Sequence, residues 1–348
     1  FEELGTLPQL YEKITVTTDT TYHVQLSGTF YDYDDASRTA AQYSGGFAAY
    51  EDGAFYARAG SYTSLSAARS AAAQYGGTAV GGSSTGVTVI VTGTDTILFE
   101  FDCGGSENLG ILPIETREKT VTWFRGYRYY GGFEYRRVSG GNINVINVVD
   151  LEDYVKCVIP WEMSKDWPVE ALKAQAIAAH SYALYCRDHA AEPASGWLSV
   201  DPVRRQGYLT DAVLRSYWGT AYEENYARLS ALVDSVLTDV LYYGSAPAGT
   251  SYFAISNGMT EASENVWGTA LPYLVSVDSS TDLAADHYEY ALTLSAQQTA
   301  QQLAALGLTA DLAAPEQWFG TPEYTAAGYV AALPVCGQRI TGTALRQA

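Results

Sequence analysis

Positive charge is scarce in this sequence. Its 348 residues include 20 Lys and Arg against 39 Asp and Glu, which gives a formal net charge of −19 at pH 7. Such a surface repels phosphate backbones, and no cluster of Lys and Arg interrupts it. We therefore predict that the protein has no nucleic acid partner.

Long apolar runs and paired cysteine motifs are also missing. No stretch approaches the roughly 18 apolar residues that a membrane helix needs. The chain opens at Phe1, so we expect that a signal peptide or membrane anchor has been removed or left out. Cys103, Cys157, Cys186 and Cys336 are widely spaced and include no Cys-x-x-Cys, so they indicate neither a disulfide framework nor a zinc ribbon. Cysteine usage leaves the compartment open.

Apolar and aromatic residues are abundant by contrast. Hydrophobic residues make up 47% of the chain and charged residues only 17%, a composition that excludes global disorder. The length is sufficient for two or three domains. With 28 Tyr and 7 Trp, the chain has many aromatic faces of the kind that bind sugars, although packing in β-sheets is the commoner reason for any one of them.

An internal repeat organises the first hundred residues. The sequence "AQY" at 41–43 recurs 32 positions later at 73–75. Each copy consists of an alternating strand, a short Ala-rich helix and a Gly-Gly turn, and a further alternating segment follows at 86–93. Two such β-α-β halves predict a small α+β domain with a four-stranded sheet.

The repeat resembles the SPOR domain, a peptidoglycan-binding module with a β-α-β-β-α-β layout. The resemblance is carried by "YHVQLSGTF" (22–30) and "FYARAGSYTSLSAARSAAAQY" (55–75) and implies binding to glycan strands. An unrelated ferredoxin-like fold is the alternative. We assign residues 1–20 to a lead segment and 21–95 to the SPOR-like domain.

The rest of the chain, 96–348, shows no low-complexity linker, and we predict one larger mixed α+β domain. Alternation around Gly turns predicts hairpins over 119–151. An amphipathic segment is expected to end at Pro160, and a long helix to follow Pro168, with Ser164 or Asp166 as its cap. Further predictions are listed here: that helix ending near His189 or Ala190, helix then strand at 232–243, a strand leading into a polar loop over 249–267, and a helix at 294–308.

A second resemblance is carried by residues 150–184, "DLEDYVKCVIPWEMSKDWPVEALKAQAIAAHSYAL". This segment closely resembles the signature of the stage II sporulation protein D family, also called SpoIID/LytB: Leu-Glu-x-Tyr, then Glu-Met, then Glu-Ala-Leu-Lys-Ala-Gln-Ala. Similar matches occur downstream, at "RQGY" (205–208), "SYFAISNGMTEASENVW" (251–267) and "RITGTALRQ" (339–347). The resemblance covers about 115–348 and identifies that region as SpoIID-like.

The resemblance implies a lytic transglycosylase that cuts peptidoglycan glycan strands, preferably those stripped of stem peptides, with Glu162 as catalytic acid. The acid must hold a proton to protonate the leaving oxygen, and burial among Trp161, Met163 and Trp167 would favour its neutral form. The same carboxylate then takes a proton from the sugar 6-hydroxyl and so closes a 1,6-anhydro ring. Without the resemblance, a surface or helix-start carboxylate would be the commoner explanation of Glu162.

Five further residues are predicted to bind substrate. Gln206 and Tyr208 would hydrogen-bond the sugar, Ser256 and Gly258 would let the backbone approach it, and Trp267 would stack on it. Turn packing and helix capping explain the first four as well, and Trp267 is equally compatible with a core position.

We predict no metal and no cofactor. In some family members Cys and His after the long helix hold zinc, but Arg205 stands here at the aligned Cys. Cys186 and His189 are three residues apart, and two ligands make only half a zinc site.

The predicted location is extracytoplasmic, secreted or anchored at the cell wall, and the predicted partner is the glycan strand. The family also includes proteins described as amidase enhancers. The alternative function is therefore a non-catalytic glycan binder that stimulates a cell-wall amidase.

Overall fold

A computed structural model describes residues 2–7, 13–114, 121–138, 141–189, 206–286 and 288–347. The architecture is α+β, as predicted. The chain divides into two units, Phe1–Thr250 and Ser251–Ala348, so the division falls inside the span that the sequence analysis treats as one domain. Within the described ranges, no helix has the length and apolar character needed to cross a membrane.

Seven strands and two helices form the first part of unit 1. They are β1 (Ile14–Thr18), β2 (Tyr22–Gln25), α1 (Tyr33–Ala40), β3 (Gly46–Glu51), β4 (Ala54–Tyr62), α2 (Leu65–Tyr75), β5 (Thr78–Val80), β6 (Val87–Val91) and β7 (Ile97–Asp102). The sheet order is β1-β6-β7-β3-β4-β2-β5, with β3 and β7 parallel and the other neighbours antiparallel.

The elements from β2 to β5 follow the predicted β-α-β-β-α-β order. The predicted four-stranded sheet is wrong, because β1, β6 and β7 extend it to seven strands. Without β7, strand β3 would lie at an edge of the sheet with unpaired backbone groups, and β7 pairs with those groups. The strands of the sheet therefore run from Ile14 to Asp102 along the chain, beyond the predicted limits at 21 and 95.

The two helices of this part begin and end at recognisable signals. The side chains of Asp32 and Ser64 each accept a hydrogen bond from the backbone N–H three residues later. Helix α2 ends at Gly76, which has a φ of 72°. Small buried residues such as Ala36 and Ala72 allow these helices to pack closely in the core.

The predicted hairpins are confirmed by two small antiparallel sheets. Their strands are β8 (Leu109–Ile111), β9 (Val121–Phe124), β10 (Tyr127–Tyr130), β11 (Gly132–Val138) and β12 (Asn142–Val148). Strands β9 and β10 pair with each other, and β11 lies between β12 and β8.

A helical part completes unit 1. It contains α3 (Leu151–Glu162), α4 (Val169–Asp188), α5 (Asp211–Trp218), α6 (Tyr222–Asp234) and the short pair β13 (Tyr242–Tyr243) and β14 (Ala246–Pro247). Helices α3, α4 and α6 share a hydrophobic core. The buried Lys156 of α3 forms ion pairs with Glu152 and with Asp234 of α6, which fixes α3 against α6.

Helix α4 confirms the predicted boundaries, but two local predictions are wrong. Pro160 does not end α3, which continues to Glu162. A proline removes one backbone hydrogen bond, and this one stands in the last turn, where little helix remains to be disrupted. The N-cap of α4 is Pro168 and makes no side-chain capping bond, so neither Ser164 nor Asp166 caps the helix.

Unit 2 contains three helices and a three-stranded sheet. They are α7 (Ser263–Trp267), α8 (Ala296–Ala305), β15 (Glu323–Tyr324), β16 (Val330–Val335), β17 (Gln338–Thr341) and α9 (Gly342–Gln347). The predicted helix at 294–308 is confirmed as α8, which begins with a capping box of Ser295 and Gln298. The predicted strand at the start of 249–267 is wrong, because residues 249–258 form a loop held by side-chain hydrogen bonds.

Candidate active site

Glu162 is the last residue of α3, and its side chain is half-buried. The backbone N–H of Gly207 donates a hydrogen bond to its Oε1, with an N–O distance of 3.1 Å. The preceding turns of α3 are packed into the core of unit 1. The carboxylate is therefore fixed from two sides, by a rigid helix and by one backbone donor.

Gly207 itself lies against the indole ring of Trp161. A Cβ atom at this position would be only 1.9 Å from Cδ1 of Trp161, far inside any allowed contact. The absence of a side chain thus lets one residue touch Trp161 and donate to Glu162. The sequence alone marks Gly207 only by its place within the matched segment "RQGY".

The segment that carries Gly207 is attached to both long helices. Tyr154 of α3 donates a hydrogen bond from its hydroxyl to Oε1 of Gln206, at 2.7 Å. Gln206 donates from Nε2 to the carbonyl of Ala179 in α4, at 3.3 Å. The N–H of Leu209 donates to the carbonyl of Cys157, at 2.9 Å. These bonds set the height of the segment along α3 and hence the position of the Gly207 donor.

Gln206 and Tyr208 flank Gly207, the hydrogen-bond donor to Glu162, and their surroundings are interior. Gln206 is only 2% exposed, and its amide bonds to Tyr154 and Ala179. The ring of Tyr208 stacks on those of Tyr129 and Tyr154, with centroids 6.5 and 6.0 Å apart. Burial raises the pKa of the Tyr208 hydroxyl. This geometry favours a positioning role for both residues over direct contact with a sugar.

The surface around Glu162 within unit 1 is aromatic and open. Trp161 is 46% exposed and Trp167 is 52% exposed, so these rings enclose Glu162 less than the sequence analysis expects. A neighbouring groove is lined by apolar side chains of α3, α4 and α6, including Pro160 and Met163. Two cations, Lys165 and Arg228, also line this groove, which is unusual on so acidic a chain.

The other predicted site residues belong to unit 2. Ser256 is buried, and its N–H donates to the carboxylate of Asp282 at 2.8 Å. Hydrogen bonds from the side chain and then the backbone of Ser256 lower the pKa of Asp282. Gly258 has a φ of 101° and donates from its N–H to Oγ of Ser256 at 3.1 Å, so a glycine is favoured there. Trp267 ends α7 and is 58% exposed, which removes the core alternative and leaves its ring accessible.

The neighbouring residues His180 and Ser181 of α4 are buried. Oγ of Ser181 donates to the carbonyl of Ile177 and accepts from the N–H of Leu241, at 2.7 and 2.9 Å. Burial lowers the pKa of His180, which favours its neutral form. These two residues therefore connect α4 to the chain around Leu241.

No metal centre forms around the end of α4 in the part of the chain that the structure describes. The imidazole of His189 is exposed, stacks on Tyr185 and contacts the Tyr185 carbonyl through Nδ1 at 2.9 Å. Arg205, at the aligned cysteine position, lies outside the described residues.

Comparisons with known proteins match the region that contains Glu162. Residues 139–243 match the family model SpoIID, described as stage II sporulation protein. Stage II sporulation protein D of Bacillus subtilis (strain 168) is 37% identical over 157 residues, and that of Bacillus amyloliquefaciens is 35% identical over 157 residues. Each alignment covers 44% of this chain and 46% of the relative.

A protein with a different name also matches. The amidase enhancer of Bacillus subtilis (strain 168) is 29% identical over 171 residues, which cover 49% of this chain and 20% of that protein. The chain thus spans less than half the length of each of these relatives. Residues 139–243 are a SpoIID family domain, and both stage II sporulation D proteins are homologues of this chain.

Proposed function

We propose that this protein is a cell-wall enzyme of sporulation, a lytic transglycosylase that cleaves peptidoglycan glycan strands with Glu162 as its acid and base. The observation that carries the proposal is the fixed carboxylate: Glu162 ends a rigid helix and accepts the Gly207 N–H, beside the exposed ring of Trp161. This arrangement occurs in the region matched by the SpoIID family model.

The hydrogen bond suggests a division of labour between the two carboxyl oxygens. Oε1 accepts the Gly207 N–H, which leaves Oε2 to carry the transferred proton. In the first step that proton passes to the glycosidic oxygen as the bond to C1 breaks. In the second step the carboxylate takes the proton of the sugar 6-hydroxyl, and the hydroxyl oxygen bonds to C1 to close the 1,6-anhydro ring. One carboxylate therefore serves both steps, unlike the carboxylate pairs of most glycoside hydrolases.

The groove beside Glu162 supports a preference for strands without stem peptides. Removal of a stem peptide leaves a free carboxylate on the lactyl group of each muramic acid. Arg228 lines the groove and supplies positive charge for such carboxylates, together with Lys165, which also pairs with Asp166 at 2.7 Å. The apolar floor and the exposed indoles suit the faces of sugar rings.

The seven-stranded part is proposed as a SPOR-like module that holds the glycan strand. Its β-α-β-β-α-β core supports this proposal, although a ferredoxin-like fold of another function has the same element order. We also propose that the chain acts outside the cytoplasm, because peptidoglycan is its substrate.

A second candidate function is favoured by the relative named amidase enhancer. In that case the open aromatic surface binds the glycan strand, and a partner amidase performs the cleavage. Nothing in this alternative requires Glu162 to transfer a proton.

Product analysis separates the two functions. The purified chain is incubated with amidase-treated peptidoglycan, and soluble fragments are examined by mass spectrometry. The enzyme releases fragments with 1,6-anhydro ends, which are 18 mass units lighter than hydrolysed ends because one water is missing. An enhancer releases none by itself and, with untreated peptidoglycan as substrate, increases the rate of an added amidase. Absence of anhydro ends from stripped strands would refute the transglycosylase.

A further inference from the structure

Three metal-ligating side chains converge inside the seven-stranded part of unit 1, far from Glu162 in sequence. Asp19 precedes β2, His23 lies in β2 and Glu100 lies in β7. Their exposed fractions are 6%, 0% and 3%. Nε2 of His23 is 2.8 Å from Oε1 of Glu100 and 3.8 Å from Oδ1 of Asp19.

The orientation of His23 is that of a metal ligand. Its Nδ1 is 2.7 Å from the carbonyl oxygen of Gly60, and only a protonated nitrogen can donate to that oxygen. Nδ1 therefore carries a hydrogen, and Nε2 faces the two carboxylates and Oγ1 of Thr21, which is 3.1 Å away. A histidine that binds a metal usually donates its other N–H in this way to a carbonyl or carboxylate.

The two carboxylate oxygens share a single imidazole, whose Nε2 is 2.8 Å from Oε1 of Glu100 and 3.8 Å from Oδ1 of Asp19. Within the described part of the chain, neither Oδ1 of Asp19 nor Oε1 of Glu100 accepts a well-directed hydrogen bond. One hydrogen on Nε2 of His23 can point at only one of them, whereas a metal ion binds both. Burying such oxygens without a partner is costly.

The local charge also favours a cation. A small cavity beside the cluster is lined by four acidic side chains, Asp19, Glu51, Glu100 and Asp102, against the single guanidinium of Arg58. Arg58 is bound to the other oxygen of Glu100, at 2.9 Å, and to Glu51, and it leaves Oε1 of Glu100 to face His23. The surplus of negative charge remains even when His23 is protonated.

We propose that Asp19, His23 and Glu100 form a binding site for a divalent metal ion, with Zn²⁺ as the best match. A tetrahedral zinc ion with bonds of about 2.0 Å holds its ligand atoms about 3.3 Å apart. The distances of 2.8 and 3.8 Å from Nε2 of His23 lie on either side of that value. The adjoining cavity of about 30 Å³ has room for a water molecule as fourth ligand.

The competing state is an ion-pair network without metal. Burial opposes a charge on His23, but its contacts with Asp19 and Glu100 outweigh burial and raise its pKa to about 9. A proton then takes the place of the metal on Nε2. The site is independent of the reaction proposed for Glu162. Because its ligands come from chain segments 81 residues apart, the metal would stabilise the fold of the sheet.

Metal binding is tested on the full chain after removal of metals with a chelator. Equilibrium dialysis against Zn²⁺, followed by elemental analysis, is expected to give one zinc per chain. Asp19→Asn and Glu100→Gln should each raise the dissociation constant for zinc at least tenfold. The matched control is the double variant Cys186→Ser/His189→Gln, which removes the ligands at the end of α4 and should bind zinc like the parent.

X-ray absorption of the zinc-loaded parent identifies the ligands directly, so the test does not depend on the folding of the variants. The expected spectrum shows nitrogen and oxygen ligands at about 2.0 Å and no sulfur. The inference is overturned if the spectrum shows sulfur ligands, or if the control loses zinc while Asp19→Asn keeps it. It is also overturned if the parent binds no stoichiometric zinc, because the cluster is then an ion-pair network only.

Discussion

Two glutamates of unit 1 occupy opposite environments. Glu100 is 3% exposed and lies among His23, Asp19 and Arg58, whereas Glu162 is half-buried and accepts a single backbone hydrogen bond from Gly207. His23 and Arg58 lower the pKa of Glu100 against the opposing effect of burial. Glu100 is thus held as a charged partner, and Glu162 is presented to the surface.

The comparison bears on the proposal for Glu162, because burial and clustered charge do not by themselves make a carboxylate suitable as a catalytic acid. A group that must give and retake a proton has to be reachable by substrate and must keep one oxygen available. Glu162 satisfies both demands, because its neighbour Trp161 is exposed and its known bond engages Oε1. Glu100 fails the first demand, because it is only 3% exposed and substrate cannot reach it, which suits a role in stability or metal binding.

The largest expected effect is on catalysis at Glu162. Glu162→Gln keeps the shape and the oxygen that accepts the Gly207 N–H but cannot transfer a proton. We expect release of anhydro products to fall by about 10²–10⁴-fold, because general acid-base groups contribute that much. Thermal unfolding and retention on peptidoglycan should stay unchanged, as measured by calorimetry and sedimentation with sacculi.

The matched control is Glu224→Gln, the same chemical change at an exposed position in the first turn of α6. It should leave product release at the parent rate. A Glu162→Gln variant as active as this control would show that another group is the acid.

The second expected effect concerns the other side of the comparison. Arg58→Met removes the guanidinium that is paired with Glu100 and leaves a buried carboxylate with less compensation. Breaking a buried ion pair from one side costs about 3–5 kcal/mol, so the free energy of unfolding should fall by about that amount. Urea denaturation provides the measurement.

Arg69→Met is its control, since Arg69 is exposed on α2 and the substitution should change stability by less than about 0.5 kcal/mol. Equal stability of the two variants would mean that Arg58 is not needed to balance the buried acids.

Local patterns in the sequence predicted much of the fold. The alternation of β2 and β4, the Ala-rich helices and the limits of α4 follow from periodicity and from Pro and Gly signals. The seven-stranded sheet was not predictable in this way. Strands β1 and β7 join it through pairing with β6 and β3, and such long-range pairing leaves no local mark.

The candidate site likewise has features that local sequence predicts and features that depend on long-range contacts. The motif around Glu162 identified the candidate acid, but Gly207 became visible only when the structure brought it against Trp161 and Glu162. The ligand cluster of Asp19 and Glu100 was missed for the same reason, because its members are far apart in sequence.

The third prediction tests the contact that distinguishes Glu162. Gly207→Ala places a Cβ atom where the ring of Trp161 lies, so the ring or the backbone must move. Displacement of a catalytic group by about 1 Å can reduce a rate about 10²-fold, and we expect a loss of up to that size in product release. Glycan binding and the α-helical signal in circular dichroism serve as measurements of unrelated damage.

The double variant Gly207→Ala/Trp161→Ala provides the matched control. Removing the ring makes space for the new methyl group, so the double variant should be at least as active as Trp161→Ala alone. If the two alanine changes instead multiply their losses, Gly207 acts on Glu162 by some route other than its contact with Trp161.

The smallest expected effect concerns substrate choice beside Glu162. Arg228→Gln removes one of the two cations of the groove without touching the carboxylate of Glu162. An exposed charge pair contributes about 0.2–1 kcal/mol, so KM for amidase-treated strands should rise about 1.5- to 5-fold while kcat is kept. The effect should shrink in high salt, because screening weakens the interaction. Arg38→Gln removes an exposed arginine of α1 and should leave KM unchanged. A fall in kcat at constant KM would place Arg228 in the chemistry of the reaction and not in the recognition of stripped glycan.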